Sequence, residues 1–151
     1  MKTDVSQAMS LISRIHSDSA DFLTKRLAAK GLPNFATSHG FILFQLAQYG
    51  TLTMSELAHR VNRDKSTLTV LIRKLSDEGF VHISDSPHDH RSRIITLTQK
   101  GHAYTDITSE LSRELAATFF SGFSNQEQHH FCQFLERIHR NFAAAEITER
   151  G

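Results

Sequence analysis

Residues 52–101 read LTMSELAHRVNRDKSTLTVLIRKLSDEGFVHISDSPHDHRSRIITLTQKG. Thr53-Met54-Ser55-Glu56 has the form of a capping box, in which the threonine hydroxyl accepts from the amide three residues on and Glu56 reaches back. Leu57, Ala58 and Val61 then form the inner face of a short helix, and the small Ala58 lets the next element come close. Asn62 is placed to cap that next helix, and Gly79 to end it in a left-handed turn. Between them Leu68, Leu71, Ile72 and Leu75 follow the i, i+3, i+4, i+7 spacing of an amphipathic helix. Two runs rich in β-branched and aromatic residues follow, Phe80–Ser84 and Arg93–Leu97, joined by polar residues that include Pro87. A short capped helix, a longer amphipathic helix and a hairpin, in that order, predict a winged helix-turn-helix.

The outward face of the second helix carries the chemistry. With the buried stripe on Leu68–Leu75, about 100° per residue places Asn62, Ser66, Thr69, Val70 and Arg73 opposite it. Serine and threonine can exchange hydrogen bonds with base edges or phosphates, Arg73 can offer two donors to a guanine edge, and Val70 can pack on a thymine methyl. Arg63, Lys65, Thr67 and Lys74 flank this face, where they suit phosphate. At the hairpin tip Asp89 can pair with Arg91 and hold the loop in one shape. Arg91 and Arg93, with His88 and His90, then offer positive charge to a minor groove. A merely solvated helix face and a merely soluble hairpin tip are the plain readings of each part alone. Their succession in one unit favours double-stranded DNA.

The rest of the chain supplies long apolar helices. Val5, Met9, Ile12, Ile15, Phe22, Leu23 and Leu27 predict a first helix that ends near Gly31-Leu32-Pro33, with a stripe that needs a partner along its whole length. A second helix, starting between Ala36 and Ser38 and stopped by Gly50, carries Phe41, Ile42, Phe44, Leu46 and Ala47 and reads as the buried centre. Thr98 is placed to cap a helix carrying Ile107, Leu111, Leu115, Phe119 and Phe123. Ser124-Asn125-Gln126-Glu127, another capping box, opens a last helix with Phe131, Phe134, Leu135, Ile138 and Phe142. The fold class is therefore mainly α with a small β-hairpin wing, and at 151 residues a single domain, 1–151, is expected.

Composition narrows the function classes. The net charge of +1 hides an uneven distribution: residues 59–100 hold 8 Lys/Arg against 5 Asp/Glu, and residues 101–151 hold 4 against 7. A basic middle suggests a localised polyanion footprint. A single cysteine rules out an intramolecular disulfide, and no apolar run approaches the roughly 18–20 residues of a membrane span. Met1-Lys2-Thr3-Asp4-Val5-Ser6 lacks the apolar segment of a secretory signal, so a cytoplasmic location is expected and no membrane partner. No Ser-His-Asp order, nucleotide loop or pair of catalytic carboxylates emerges, and no enzyme is read.

The run Ser55-Glu56-Leu57-Ala58, Lys65-Ser66-Thr67-Leu68-Thr69, Leu75-Ser76-Asp77-Glu78-Gly79-Phe80-Val81, Asp89-His90-Arg91-Ser92 and Leu97-Thr98-Gln99-Lys100-Gly101 resembles the MarR family of bacterial transcription regulators. The resemblance implies a winged helix-turn-helix lobe at 32–101 and long amino- and carboxyl-terminal dimerisation helices at 4–30 and 102–144. It also implies a homodimer on a pseudo-palindromic operator, with recognition helices in successive major grooves and Arg91 in a flanking minor groove. Repression relieved by a small aromatic or lipophilic effector is the behaviour it suggests. One departure is Val70, where the family often has arginine, so base preference does not carry over there. The rival reading is a winged-helix interaction module whose basic face takes an acidic protein partner.

Sensor chemistry is sparse. Cys132, beside Phe131 and Phe134, is expected as a buried, inert thiol. His129 and His130 project about 100° apart on a helix, and His88 and His90 sit at the presumed DNA tip, so no metal and no cofactor is expected. A pocket between the first, second and fifth helices has many of the eleven phenylalanines available as lining, and the same residues would equally fill a dimer core.

Overall fold

A computed structural model describes residues 4–35, 37–89 and 91–149. A 3-10 turn at Val5–Gln7 leads into α1 (Ala8–Ala29), followed by α2 (Thr37–Tyr49), β1 (Leu52–Thr53), α3 (Met54–Val61) and α4 (Lys65–Asp77). The wing strands β2 (Val81–Asp85) and β3 (Arg93–Leu97) precede α5 (Gln99–Phe119) and α6 (Asn125–Glu149). The chain divides into two compact units, Met1–Arg113 and Glu114–Gly151.

In the first unit the amphipathic face of α4 organises the core. Leu68, Ile72 and Leu75 are fully buried with Leu57 of α3, Ile42 and Leu46 of α2, and Ile95 of β3. The sheet is antiparallel in the order β1-β3-β2, with Ile83 and Leu52 both opposite Ile95. The two-residue β1 goes beyond the predicted hairpin. Its pairing is too short to leave a periodic signal.

Capping follows the expected chemistry except at one helix start. Thr53 and Glu56 form the reciprocal box on α3, at 3.2 and 2.8 Å. Ser124 and Glu127 repeat it on α6. Thr98 Oγ1 accepts from the Gly101 amide at 3.0 Å and so caps α5. Asn62, however, does not cap α4. It takes the left-handed conformation at φ 52° and ends α3, with the Arg63 amide donating to the Ala58 carbonyl. An N-cap needs extended backbone, and Asp64 provides it (φ −71°, ψ 161°).

The end of α4 fixes the next two elements. Gly79, at φ 82°, lets the Phe80 amide reach back to the Leu75 carbonyl at 2.8 Å and its own amide reach Ser76 at 3.0 Å, a Schellman turn. Phe80 is thereby drawn into the core, and the strand starts one residue later than predicted, at Val81. Gly101 lies so close to the Phe80 carbonyl that any Cβ there would overlap it.

Not every apolar residue of the long helices is covered in the single chain. On α1, Leu27 is buried whereas Met9, Ile12 and Ile15 are exposed, as is Val5 in the turn before it. On α2, Ile42, Leu43 and Leu46 are buried, but Phe41 and Phe44 stack on each other at the surface, so the helix is buried on one side only. In the second unit Phe131 packs on Phe119 and Phe120 at centroid distances of 5.7 and 5.8 Å. Phe134, Leu135, Ile138 and Phe142 are exposed. Cys132 is exposed as well, contrary to the buried thiol expected, because it lies about 100° round the helix from the inward Phe131.

Two helical glycines should respond to alanine with opposite signs. Gly40 in α2 has open space around its missing side chain, so Gly40→Ala should stabilise by about 0.5–1 kcal/mol. Gly101→Ala must push backbone from backbone and should destabilise. Urea denaturation of both variants beside the parent checks the pair.

Candidate nucleic-acid interface

The helix-turn-helix is built by three short-range devices already described: the Thr53 box, the left-handed Asn62 and the Asp64 cap. Asp64 Oδ1 accepts from the Thr67 amide at 2.6 Å, and the backbone and side-chain bonds from Thr67 hold its carboxyl below the ordinary aspartate value. With the start of α4 fixed and Leu68, Ile72 and Leu75 facing inward, Ser66, Thr69, Val70 and Arg73 stand exposed on the other side. Val70 is 68% exposed, a large value for an apolar side chain. Lys65, Thr67 and Lys74 flank the same face. Asn62 and Arg63 are exposed too, but they sit in the turn before α4 and not on the helix. Thr69 Oγ1 donates to the Lys65 carbonyl at 2.7 Å, which commits its proton to the helix and leaves its lone pairs outward.

The wing tip is held by backbone geometry. The Ser86 amide donates to Ser92 O at 2.9 Å and the Ser92 amide to Asp89 O at 3.0 Å. Asp89 does secure Arg91, yet through the Arg91 backbone amide at 2.9 Å and not through an ion pair with the guanidinium. The carboxylate is thus spent on the turn. His88, Asp89, Arg91 and Arg93 are exposed, while His90 lies outside the described residues.

Helix and wing enclose an open groove of about 640 Å³. Lys65, Thr69 and Arg73 line it from α4, Arg91, Ser92 and Arg93 from the wing, and Met54, Ile72 and Ile83 from beneath. Four cations against the single carboxylate of Asp77 make this a positive channel. Five predicted residues therefore converge in one place, whereas Ser66, Val70 and Lys74 stay on the outer helix face. Ser55, in the first turn of α3, lines the groove as well. It was not singled out from sequence, although its place at a capped helix start next to the reading helix was a usable signal.

A bundle lobe with an exposed helix beside a basic wing defines a winged helix-turn-helix protein. Residues 37–92 match the family model described as MarR family. The matched stretch runs from α2 through the first wing strand, and this part of the chain is similar to the MarR family. An uncharacterised HTH-type transcriptional regulator of Bacillus subtilis, YwhA, is 25% identical over 116 residues, covering 76% of this chain and 84% of that protein. The HTH-type transcriptional repressor IacR of Pseudomonas putida is 25% identical over 100 residues, covering 66% of this chain and 60% of the repressor. Streptococcus pneumoniae FabT, solved in complex with DNA, shares the fold at a TM-score of 0.78 and 14% identity, over 94% of this chain and 99% of that one. Among the described residues no helix is long and apolar enough to cross a membrane.

The Asp64 cap makes a pH prediction. Because folding lowers the Asp64 pKa, its contribution is present above the unfolded value and is lost as pH falls through the folded one. Protection of the Thr67 amide against hydrogen exchange should therefore weaken below about pH 4. In Asp64→Ala it should be weak at every pH.

Proposed function

We propose that this protein is a homodimeric, sequence-specific double-stranded DNA-binding regulator, and that it acts as a repressor. The observation that carries the reading is the positive groove between α4 and the wing, set beside an exposed helix face of hydroxyls and one arginine. In this reading Ser66, Thr69, Val70 and Arg73 meet base edges in the major groove. Lys65 and Arg93 straddle a phosphate ridge, Asn62, Arg63, Thr67 and Lys74 contact the flanking backbone, and Arg91 at the tip held by Asp89 reaches a minor groove with His88. FabT was solved with DNA, and IacR is named a repressor; both are consistent with this assignment.

Dimerisation accounts for the uncovered apolar residues. Single exposed apolar side chains are ordinary, but Met9, Ile12 and Ile15 on α1 and Leu135, Ile138 and Phe142 on α6 form rows at helical spacing. A second copy would cover them and present two recognition helices about one DNA turn apart, matching a pseudo-palindromic operator.

An effector would act at the cleft of about 390 Å³ in the first unit, lined by Leu23, Leu27, Phe35, Leu43, Phe44 and Tyr104 with hydroxyls of Thr105, Thr108, Ser109 and Ser112. Its described lining carries no cation or carboxylate, which suits a neutral aromatic or lipophilic compound. Such a ligand relieves repression only to the extent that it binds the DNA-incompetent arrangement more tightly.

Fluorescence anisotropy on a duplex selected by the protein from a randomised pool tests the interface. Arg73→Ala should cost about 1–3 kcal/mol and relax specificity at one base pair, whereas Lys65→Ala should weaken all sequences and lower the salt slope by about 1. Unchanged binding in both variants would instead favour the acidic-protein reading. Sedimentation of Ile138→Asp should show a shift from dimer to monomer, with loss of operator binding.

A further inference from the structure

His39, on α2, is nine-tenths buried, and among the described residues neither ring nitrogen has a hydrogen-bond partner. Buried polar atoms without partners are uncommon and costly, and a buried imidazolium without acceptors costs far more. The ring lies against Phe35 at a centroid distance of 5.9 Å. Phe35 in turn packs edge-on against Phe80 and Tyr104, at 5.0 and 5.4 Å. His39 thus adjoins the cluster joining the end of α4, through Phe80, to α5, through Tyr104.

The charges acting on the ring come from the last turn of α4 and its cap: Lys74 opposes protonation and Glu78 favours it. Burial is the larger influence, and with Lys74 it holds the imidazole below the ordinary histidine value. The Tyr104 hydroxyl on the far side of the cluster is engaged with the Pro33 carbonyl at 2.8 Å. Three carbonyls at the end of α4 already accept hydrogen bonds. Lys100 Nζ donates to Glu78 O at 2.7 Å, Thr98 Oγ1 to Gly79 O at 2.6 Å, and the Phe80 amide to Leu75 O at 2.8 Å. Protonation would place a charge and a second donor at this buried position, where among the described residues neither ring nitrogen is bonded to an acceptor.

We infer that His39 is a proton sensor built under the recognition helix: its neutral ring seats α4, and its protonation unseats α4 and releases DNA. The release half rests on the DNA-binding function proposed above; the unseating half does not. The sign follows from linkage. In the window between the lowered folded pKa and the ordinary value near 6.5, the unfolded state binds more protons, so stability rises with pH. The contribution is complete above that window and lost as pH falls through it.

The test uses the full chain, its His39→Phe variant, which keeps an aromatic ring but cannot be protonated, and His39→Gln should the phenylalanine overpack. Carbon-detected NMR titration should place His39 below the ordinary histidine value near 6.5. Melting temperature should fall more steeply from pH 7.5 to 5.5 in the wild type than in the variant. On a labelled duplex selected at pH 7.5, at constant salt, the wild type should lose at least about fivefold in affinity at pH 5.5, the low end of ordinary coupling, while the variant holds or gains. A His39 titrating at the ordinary histidine value, or equal pH dependence in wild type and variant, overturns the inference. If the wild type binds no duplex at pH 7.5, the DNA reading and the release half fall together, and the NMR and melting arms still decide whether His39 is the sensor.

Discussion

The contact of Gly101 with the Phe80 carbonyl is the constraint on which the reading head depends. It brings the first turn of α5 against the chain as it leaves α4, at a distance only a glycine permits. Thr98 and Lys100 then bond to the carbonyls of Gly79 and Glu78, so three successive residues at the end of one helix are held by the start of another. Such a junction transmits rotation poorly absorbed by any flexible loop. A change in the direction of α5 must move α4, and the face that α4 presents moves with it.

The same economy appears at the other end of α4. The turn from α3 is closed by Asn62 in a left-handed conformation and by an Asp64 side chain that satisfies the first turn of the helix. Neither device uses residues of the outward face. Ser66, Val70 and Arg73 are therefore exposed without any structural duty, whereas Thr69 has given its proton to the Lys65 carbonyl. Substitution on this face should leave the fold largely intact, and on the proposed DNA-binding reading it can change specificity.

Much of this was legible in the sequence, and the misreadings have physical causes. The Thr53 and Ser124 boxes and the Leu68–Leu75 stripe were readable because local hydrogen bonds and helical periodicity alone determine them. Asn62 was misassigned because asparagine serves equally at helix starts and in left-handed turns, and only the neighbouring aspartate breaks the tie. The exposure of Cys132 was missed because adjacency to phenylalanines in sequence says nothing of helical phase. His39 carries no local signal: its burial arises from tertiary packing that sets Phe35 against it, which no local pattern encodes. The groove was half legible, since each cation was identified, but their convergence required the hairpin to fold back beside α4.

The Asp64 cap also decides where binding energy for a polyanion must come from. A helix start normally offers free amides and a partial positive charge to an incoming phosphate. Here a resident carboxylate already occupies the Thr67 amide and presents like charge to any visitor. On the proposed DNA-binding reading, attraction then falls chiefly to long side chains whose hold weakens as counterions compete. A grip of that kind is tuned by the ionic strength of its surroundings more than by backbone shape.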